Sequence, residues 1–328
     1  MITLITARIR SRQPDIQLLK KLELDCKQYS TWKTRSGPIL FAPRALSSRL
    51  YTLFHYLLKP SLKSYKIKGA VLSLGFPYRF YFFSKTFPYF TRDADMRVWW
   101  TQDVWQPDYP RVEKLVREGK INLLLLSSHQ ATEHFYKLKI PGCTVDWVPE
   151  TINVEEYKHK PWNERSINVL SFGGGWQKYH DKIVEGCREN KINYLSQQIS
   201  FVNALEDAQI CICFPRSVTH PALAGNVSTL TTRYLQAMAS KCLIIGVAPL
   251  DIAYLLNYNP VIEVDWNDPV GQIRNILDQP AQWQALVERN YLTVSRMFQH
   301  NNAIDQIDKL IKSQLEINEM NLTVNAFK

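Results

Sequence analysis

No apolar run in the 328-residue chain approaches the about 18 residues that a membrane-spanning helix needs. Repeats and low-complexity tracts are also missing, which sets aside solenoids and disordered scaffolds. The six cysteines contain no C-x-x-C pair, and Cys211 and Cys213 alternate with apolar residues, so they read as buried thiols of a reducing cytosol rather than metal ligands. Neither a G-x-G-x-x-G fingerprint nor a P-loop ending in Lys-Ser/Thr occurs. No nucleic-acid-binding module is recognisable, and the opening MITLITARIRSRQ is broken too early by Arg8 and Arg10 to serve as a signal peptide.

Charge is present, but unevenly. Residues 1–100 carry 18 Lys and Arg against 5 Asp and Glu, a net of +13, whereas the remaining 228 carry 22 against 25, a net of −3. Within the basic part, residues 45–59 place Leu46, Leu50, Leu53, Phe54 and Leu57 on one helical face, followed by Lys63, Lys66 and Lys68. Such a surface suits an anionic membrane, and equally an ordinary domain helix packed on a sheet.

Apolar strand candidates recur between helical segments: 2–7, 39–42, 70–75, 96–101, 121–127 and 145–148, then 167–172, 192–195, 208–214, 242–246 and 261–264, with helices from 270 to the end. Continuous apolar strands separated by helices predict parallel sheets covered on both faces. A chain of this length exceeds what one core supports, and the polar segment 150–165 is the best linker. Two doubly wound, Rossmann-like domains are expected, 1–155 and 156–328, with the last helix a candidate to cross back to the first.

The most telling stretch is 201–246, in which a strand, a polar loop, a helix over 228–240 and a second strand follow one another. Ligands of parallel sheets bind at strand carboxyl ends and at the amino ends of the helices that follow. Within TTRYLQAMASKCLIIG, the residues Thr231, Arg233, Tyr234, Ala237, Ala239, Leu243 and Gly246 follow a signature that reads roughly T-x-R-x-(F/Y)-E-A-x-A-x-G-x-L-I-G. The segment therefore resembles the donor-binding half of group 1 glycosyltransferases, above all their CgeB-like branch. Two positions depart from it: Gln236 stands where the family has a ribose-binding Glu, and Ser228 where the E-x7-E motif has its first Glu.

That resemblance implies a GT-B fold with an acceptor domain followed by a nucleotide-sugar domain, and a retaining transferase that needs no metal or other cofactor. On the donor side the candidates are Gly173, Gly174 and Gly175, where a phosphate can approach the backbone, with Lys178, Arg216 and Arg233 as cations and Gln236 for the ribose. Ser228, Thr229 and Thr232 are expected to cap the helix. On the acceptor side Asp103 and His129 follow strand ends and are candidates for general base or hydroxyl binding, beside the 75–78 segment. Arg233 is the candidate for stabilising the leaving diphosphate. Asp93-Ala94-Asp95 forms a D-x-D, read as a solvated turn with no bound metal. The expected partners are a nucleotide-sugar, a glycan or lipid-linked acceptor and an anionic membrane surface at the cytoplasmic face, with no nucleic acid. A non-catalytic nucleotide-sugar-binding or assembly protein is the rival reading, followed by a GT-B sugar-nucleotide epimerase.

Overall fold

The structure, a computed structural model, describes residues 2–5, 29–32, 67–74, 94–172, 177–197 and 202–326. The expected strand at 39–42, the amphipathic helix at 45–59 with most of the basic residues, the 75–78 segment and the glycines Gly173, Gly174 and Gly175 lie outside the described residues.

The chain divides into two units, Met1–Pro149 with Ala303–Lys328, and Glu150–Asn302. The sequence reading placed the division at 155. Residues 150–157 side with the second unit because they are tied to it: Ile152 N–H donates to Phe298 O at 2.9 Å, and Tyr157 Oη accepts from Gln236 at 2.9 Å.

The first unit holds a sheet in the order β2-β1-β3-β4-β5-β6, formed by β1 (Ile2–Ile5), β2 (Tyr29–Trp32), β3 (Ile67–Leu74), β4 (Ala94–Thr101), β5 (Leu123–Leu126) and β6 (Thr144–Trp147). Every neighbouring pair is parallel. The four leucines of β5 are fully buried, as a strand covered on both faces requires. Leu124 and Leu126 pack with α1 (Tyr109–Gly119) and α2 (His129–Lys137), while Leu123 and Leu125 pack with Ala303, Ile304, Ile307 and Ile311 of the long last helix. Strand β2 was not anticipated from the sequence; YSTW has too few apolar residues to announce itself. The described part of the expected D-x-D turn, Ala94 and Asp95, is strand instead. Ala94 opens β4, and the Asp95 carboxylate accepts the Gly69 N–H of the neighbouring strand at 2.8 Å.

The second unit repeats the scheme with order β11-β10-β9-β7-β8, from β7 (Ile167–Phe172), β8 (Tyr194–Gln197), β9 (Ala208–Cys213), β10 (Leu243–Gly246) and β11 (Ile262–Glu263), again all parallel. Alternation assigns the faces. Leu170, Cys211 and Ile244 enter one core layer, and Val169, Ile210, Ile212, Leu243 and Ile245 the other. The described helices of this unit are α3 (Gln177–Glu189), α4 (Val202–Glu206), α5 (Arg216–Thr219), α6 (Pro221–Ala224), α7 (Thr232–Ala239), α8 (Asp251–Leu255), α9 (Pro269–Asp278) and α10 (Gln284–Met297). Helix α11 (His300–Ala326) begins in this unit and continues into the first. In each sheet the first strand lies between the second and the third, so the order reverses beside β1 and beside β7, and in open parallel sheets ligands bind outside the carboxyl ends at such a reversal.

Candidate functional site

In the second unit the reversal point lies between β7 and β9. The chain leaves β7 toward Gly173, Gly174 and Gly175, and leaves β9 through Phe214, Pro215 and Arg216. Phe214 is 3 % exposed and collects the neighbouring elements. Its carbonyl accepts Arg233 Nη2 from α7 at 3.3 Å. Its ring meets Tyr179 of α3 edge-on at 5.0 Å and stacks on Trp266 at 5.6 Å with 23° between the planes. Arg216 opens α5 two residues after Phe214, and exposed Lys178 precedes Tyr179. Three of the expected cations thus belong to elements that converge on one residue at the carboxyl edge. Among the described residues Arg233 forms no ion pair, which leaves its planar fork suited to bidentate binding of phosphate oxygens. Burial pushes the thiol of neighbouring Cys213 up to about 12, against the pull of the Arg233 charge.

The turn before α7 is built differently from the expectation. The helix starts at Thr232, not 228, because residues 228–231 are held outside it by side chains from elsewhere. Thr229 Oγ1 and the Leu230 N–H both donate to the fully buried Asp251 carboxylate at 2.8 Å, and Ser228 Oγ accepts the Leu250 N–H at 3.3 Å. Thr231 is left extended at the N-cap with no side-chain cap bond. Ser228, Thr229 and Thr232 therefore do not cap α7 with their hydroxyls. That role falls to Glu150, 5 % exposed, whose Oε2 accepts the Thr232 N–H at 2.8 Å. A carboxylate already complements the positive end of the helix dipole, so this amide is not on offer to a ligand phosphate.

Gln236 is one turn further on and 4 % exposed. Its Nε2 donates to Tyr157 Oη at 2.9 Å, while Oε1 has no hydrogen-bond partner among the described residues. It lies in the interior of the unit, three residues after Arg233 on the same helix. His180 is taken up by Tyr194, with Nδ1 2.8 Å from the phenol oxygen.

In the first unit Asp103 and His129 follow the carboxyl ends of neighbouring strands, β4 and β5. Asp103 has φ 53°, a left-handed conformation that Asp tolerates better than most residues. His129 opens α2, its ring edge-on to Trp147 at 4.9 Å, and Trp147 Nε1 donates to Ser127 O at 3.1 Å. The 75–78 segment, which would join them, is not described.

Sequence reasoning missed Glu150, Asp251 and Trp266. Glu150 and Asp251 act 82 and 21 residues from the amides they hold, and no local pattern marks such a contact.

No protein-family profile matches the sequence, and no curated protein matches it. Solved structures do resemble it. HepE from Anabaena, in complex with UDP and glucose, superposes with a TM-score of 0.62 at 9 % identity, covering 95 % of this chain and 99 % of that one. Sucrose-phosphate synthase from Thermosynechococcus elongatus gives 0.59 at 13 %, covering 96 % and 99 %. The apo form of the lipopolysaccharide outer core galactosyltransferase WaaB gives 0.55 at 10 %, covering 95 % and 99 %. At such identities the likeness establishes the architecture: two parallel-sheet α/β units in the GT-B fold.

Proposed function

We propose that the chain is a glycosyltransferase of the group 1 type, nearest the CgeB-like branch, moving a sugar from a nucleotide-sugar to a glycan, lipid-linked or other glycoconjugate acceptor. The observation that carries this reading is the convergence of Arg233, Arg216 and the Lys178 helix on Phe214, at the carboxyl edge where the strand order reverses. The solved complexes of HepE with UDP and with UDP-glucose support a nucleotide-sugar as ligand.

In this mechanism Arg233 and Lys178, with the Gly173, Gly174 and Gly175 amides, stabilise the negative charge that grows on the departing diphosphate. Fixed cations do so without a metal, and the reaction retains the configuration of the donor sugar. Asp103 and His129 hold the acceptor hydroxyl at the edge of the first sheet.

Calorimetric titration with UDP tests the donor site. The Arg233→Ala protein should bind about 1.5–3 kcal/mol more weakly, the range for a hydrogen bond to a charged group, with an unchanged unfolding midpoint. Equal affinity of both proteins would refute the assignment. A second reading has one observation in its favour: Gln236 replaces a carboxylate and is committed to Tyr157. A protein that binds UDP-sugars yet shows neither transfer nor hydrolysis would be that nucleotide-sugar-binding or assembly protein.

We place the enzyme at the cytoplasmic face of a membrane, held by the +13 of residues 1–100. Among the described residues no helix is long and apolar enough to cross a bilayer. Each basic group near an anionic surface contributes about 1 kcal/mol and acts within about 8 Å at physiological salt. Co-sedimentation with anionic vesicles at low salt, released at high salt and absent with neutral vesicles, is the expected result. Equally weak binding to both vesicle types excludes the membrane role.

A further inference from the structure

Helix α7 carries Arg233 at its second residue, yet it has no local cap. Thr231 at the N-cap makes no side-chain cap bond, and its buried Oγ1 has no hydrogen-bond partner among the described residues. The turn is held instead by side chains distant in sequence. Fully buried Asp251 accepts both Thr229 Oγ1 and the Leu230 N–H on one oxygen, Oδ2, at 2.8 Å each, and Glu150 Oε2 takes the Thr232 N–H at 2.8 Å. Segment 247–251 is tied to the same stretch at two more points: Ser228 Oγ accepts the Leu250 N–H at 3.3 Å, and Tyr234 Oη donates to Val247 O at 2.8 Å. Arg233 is thus bracketed, with Thr232 fixed before it and Tyr234 after it, while its own Nη2 reaches Phe214 O at 3.3 Å.

Hydrogen bonds to a carboxylate are about twice as strong as neutral ones, and in a buried turn each donor left unmade carries its full desolvation cost. We propose that Asp251 and Glu150 are positioning residues of the donor site, fixing the turn from which Arg233 reaches the diphosphate while touching no part of the nucleotide themselves. The proposal rests on the donor-site reading above and deepens it. Carboxylates at the head of this helix repel an anionic ligand by charge alone, so repulsion and positioning predict opposite signs for their removal. Positioning wins where a binding group displaced by about 1 Å loses most of its effect.

Titration calorimetry with UDP tests it on the wild type, Glu150→Ala, Glu150→Gln and Thr229→Val, each alone and combined with Arg233→Ala. Glu150→Ala should weaken UDP about tenfold, and Thr229→Val, which removes one donor to Asp251 and keeps both carboxylates, about fivefold. Glu150→Gln keeps an oxygen for the Thr232 N–H without the charge and should stay within about threefold of wild type. In the Arg233→Ala background each substitution should change UDP affinity less than about twofold, because residues that act through one group are not additive. A merely structural role lowers the thermal midpoint of each variant and leaves this coupling at zero. Thr229→Val decides alone where Glu150→Ala does not fold. UDP binding that is unchanged or tighter in Glu150→Ala and Thr229→Val, or weakened equally with and without Arg233, overturns the positioning role and leaves the donor site standing. A wild type that binds no UDP, or an Arg233→Ala protein that binds it as well as wild type, overturns both.

Discussion

Replacing Gly246 with alanine is expected to cost about 4 kcal/mol or more and to leave the protein unfolded or insoluble at 37 °C, the outcome reserved for changes that force a packed backbone apart. Gly246 ends β10 opposite Cys213 of β9 at φ 156°. A Cβ added there would lie 1.7 Å from the Cys213 carbonyl oxygen and 2.7 Å from its carbon. No rotamer relieves that overlap, because both partners are main chain. Strand β10 would have to move away from β9, and with it Val247, whose carbonyl accepts Tyr234 Oη at 2.8 Å, so α7 would lose its seat as well. Chemical denaturation of wild-type and Gly246→Ala protein measures the cost; a midpoint within experimental error of wild type would show that the strands separate freely.

The second large effect is expected at Arg165, which is 7 % exposed and, among the described residues, pairs with no carboxylate. Its Nε donates to Lys160 O at 2.9 Å, Nη1 to Ala208 O at 2.6 Å and Lys241 O at 3.0 Å, and Nη2 to Ser240 O at 3.2 Å. The guanidinium thus joins the start of β9 to the last carbonyls after α7, where a positive charge also complements the helix dipole. Replacing a buried ion pair with apolar side chains is often neutral, because both partners leave together. Here the acceptors are backbone and cannot leave. Arg165→Met should therefore cost about 3 kcal/mol or more, given about 1–3 kcal/mol for each buried group left unmade. Arg165→Lys should recover part of this, since an ammonium lacks the planar fork that reaches acceptors on both sides. Urea unfolding curves for the three proteins decide it, and a Met variant as stable as wild type would mean that water replaces the guanidinium.

The sheets were legible because their signal is local. Four consecutive leucines in β5 and the AQICIC run of β9 leave little choice but a strand buried on both faces, and the spacing of helices between such strands gives a parallel sheet. That Lys178, Arg216 and Arg233 follow strands or head helices was legible for the same reason, since such a position is a property of the neighbouring sequence. What was hidden depends on residues far apart in the chain. The start of α7 was placed four residues early because Ser228 and Thr229 have the chemistry of caps, and nothing near them says that Asp251 engages Thr229 or that Glu150 takes the first amide. Trp266 was passed over because a lone tryptophan after a two-residue strand has no periodicity to draw notice.

The path of α11 bears on the order in which the molecule can be made. The second unit is contiguous, Glu150–Asn302, so all of it has been synthesised once residue 302 is added. The first unit is not: its core includes Ala303, Ile304, Ile307 and Ile311, none more than 5 % exposed, packed with Leu72, Val98 and Leu123. Its sheet emerges before the second unit and waits, one apolar face uncovered, until residues 303–311 have left the ribosome. Closing it requires contacts across some two hundred residues, the kind of long-range pairing that slows folding and exposes an intermediate to aggregation. Of the two units, the one whose sheet is translated earlier is the later to finish.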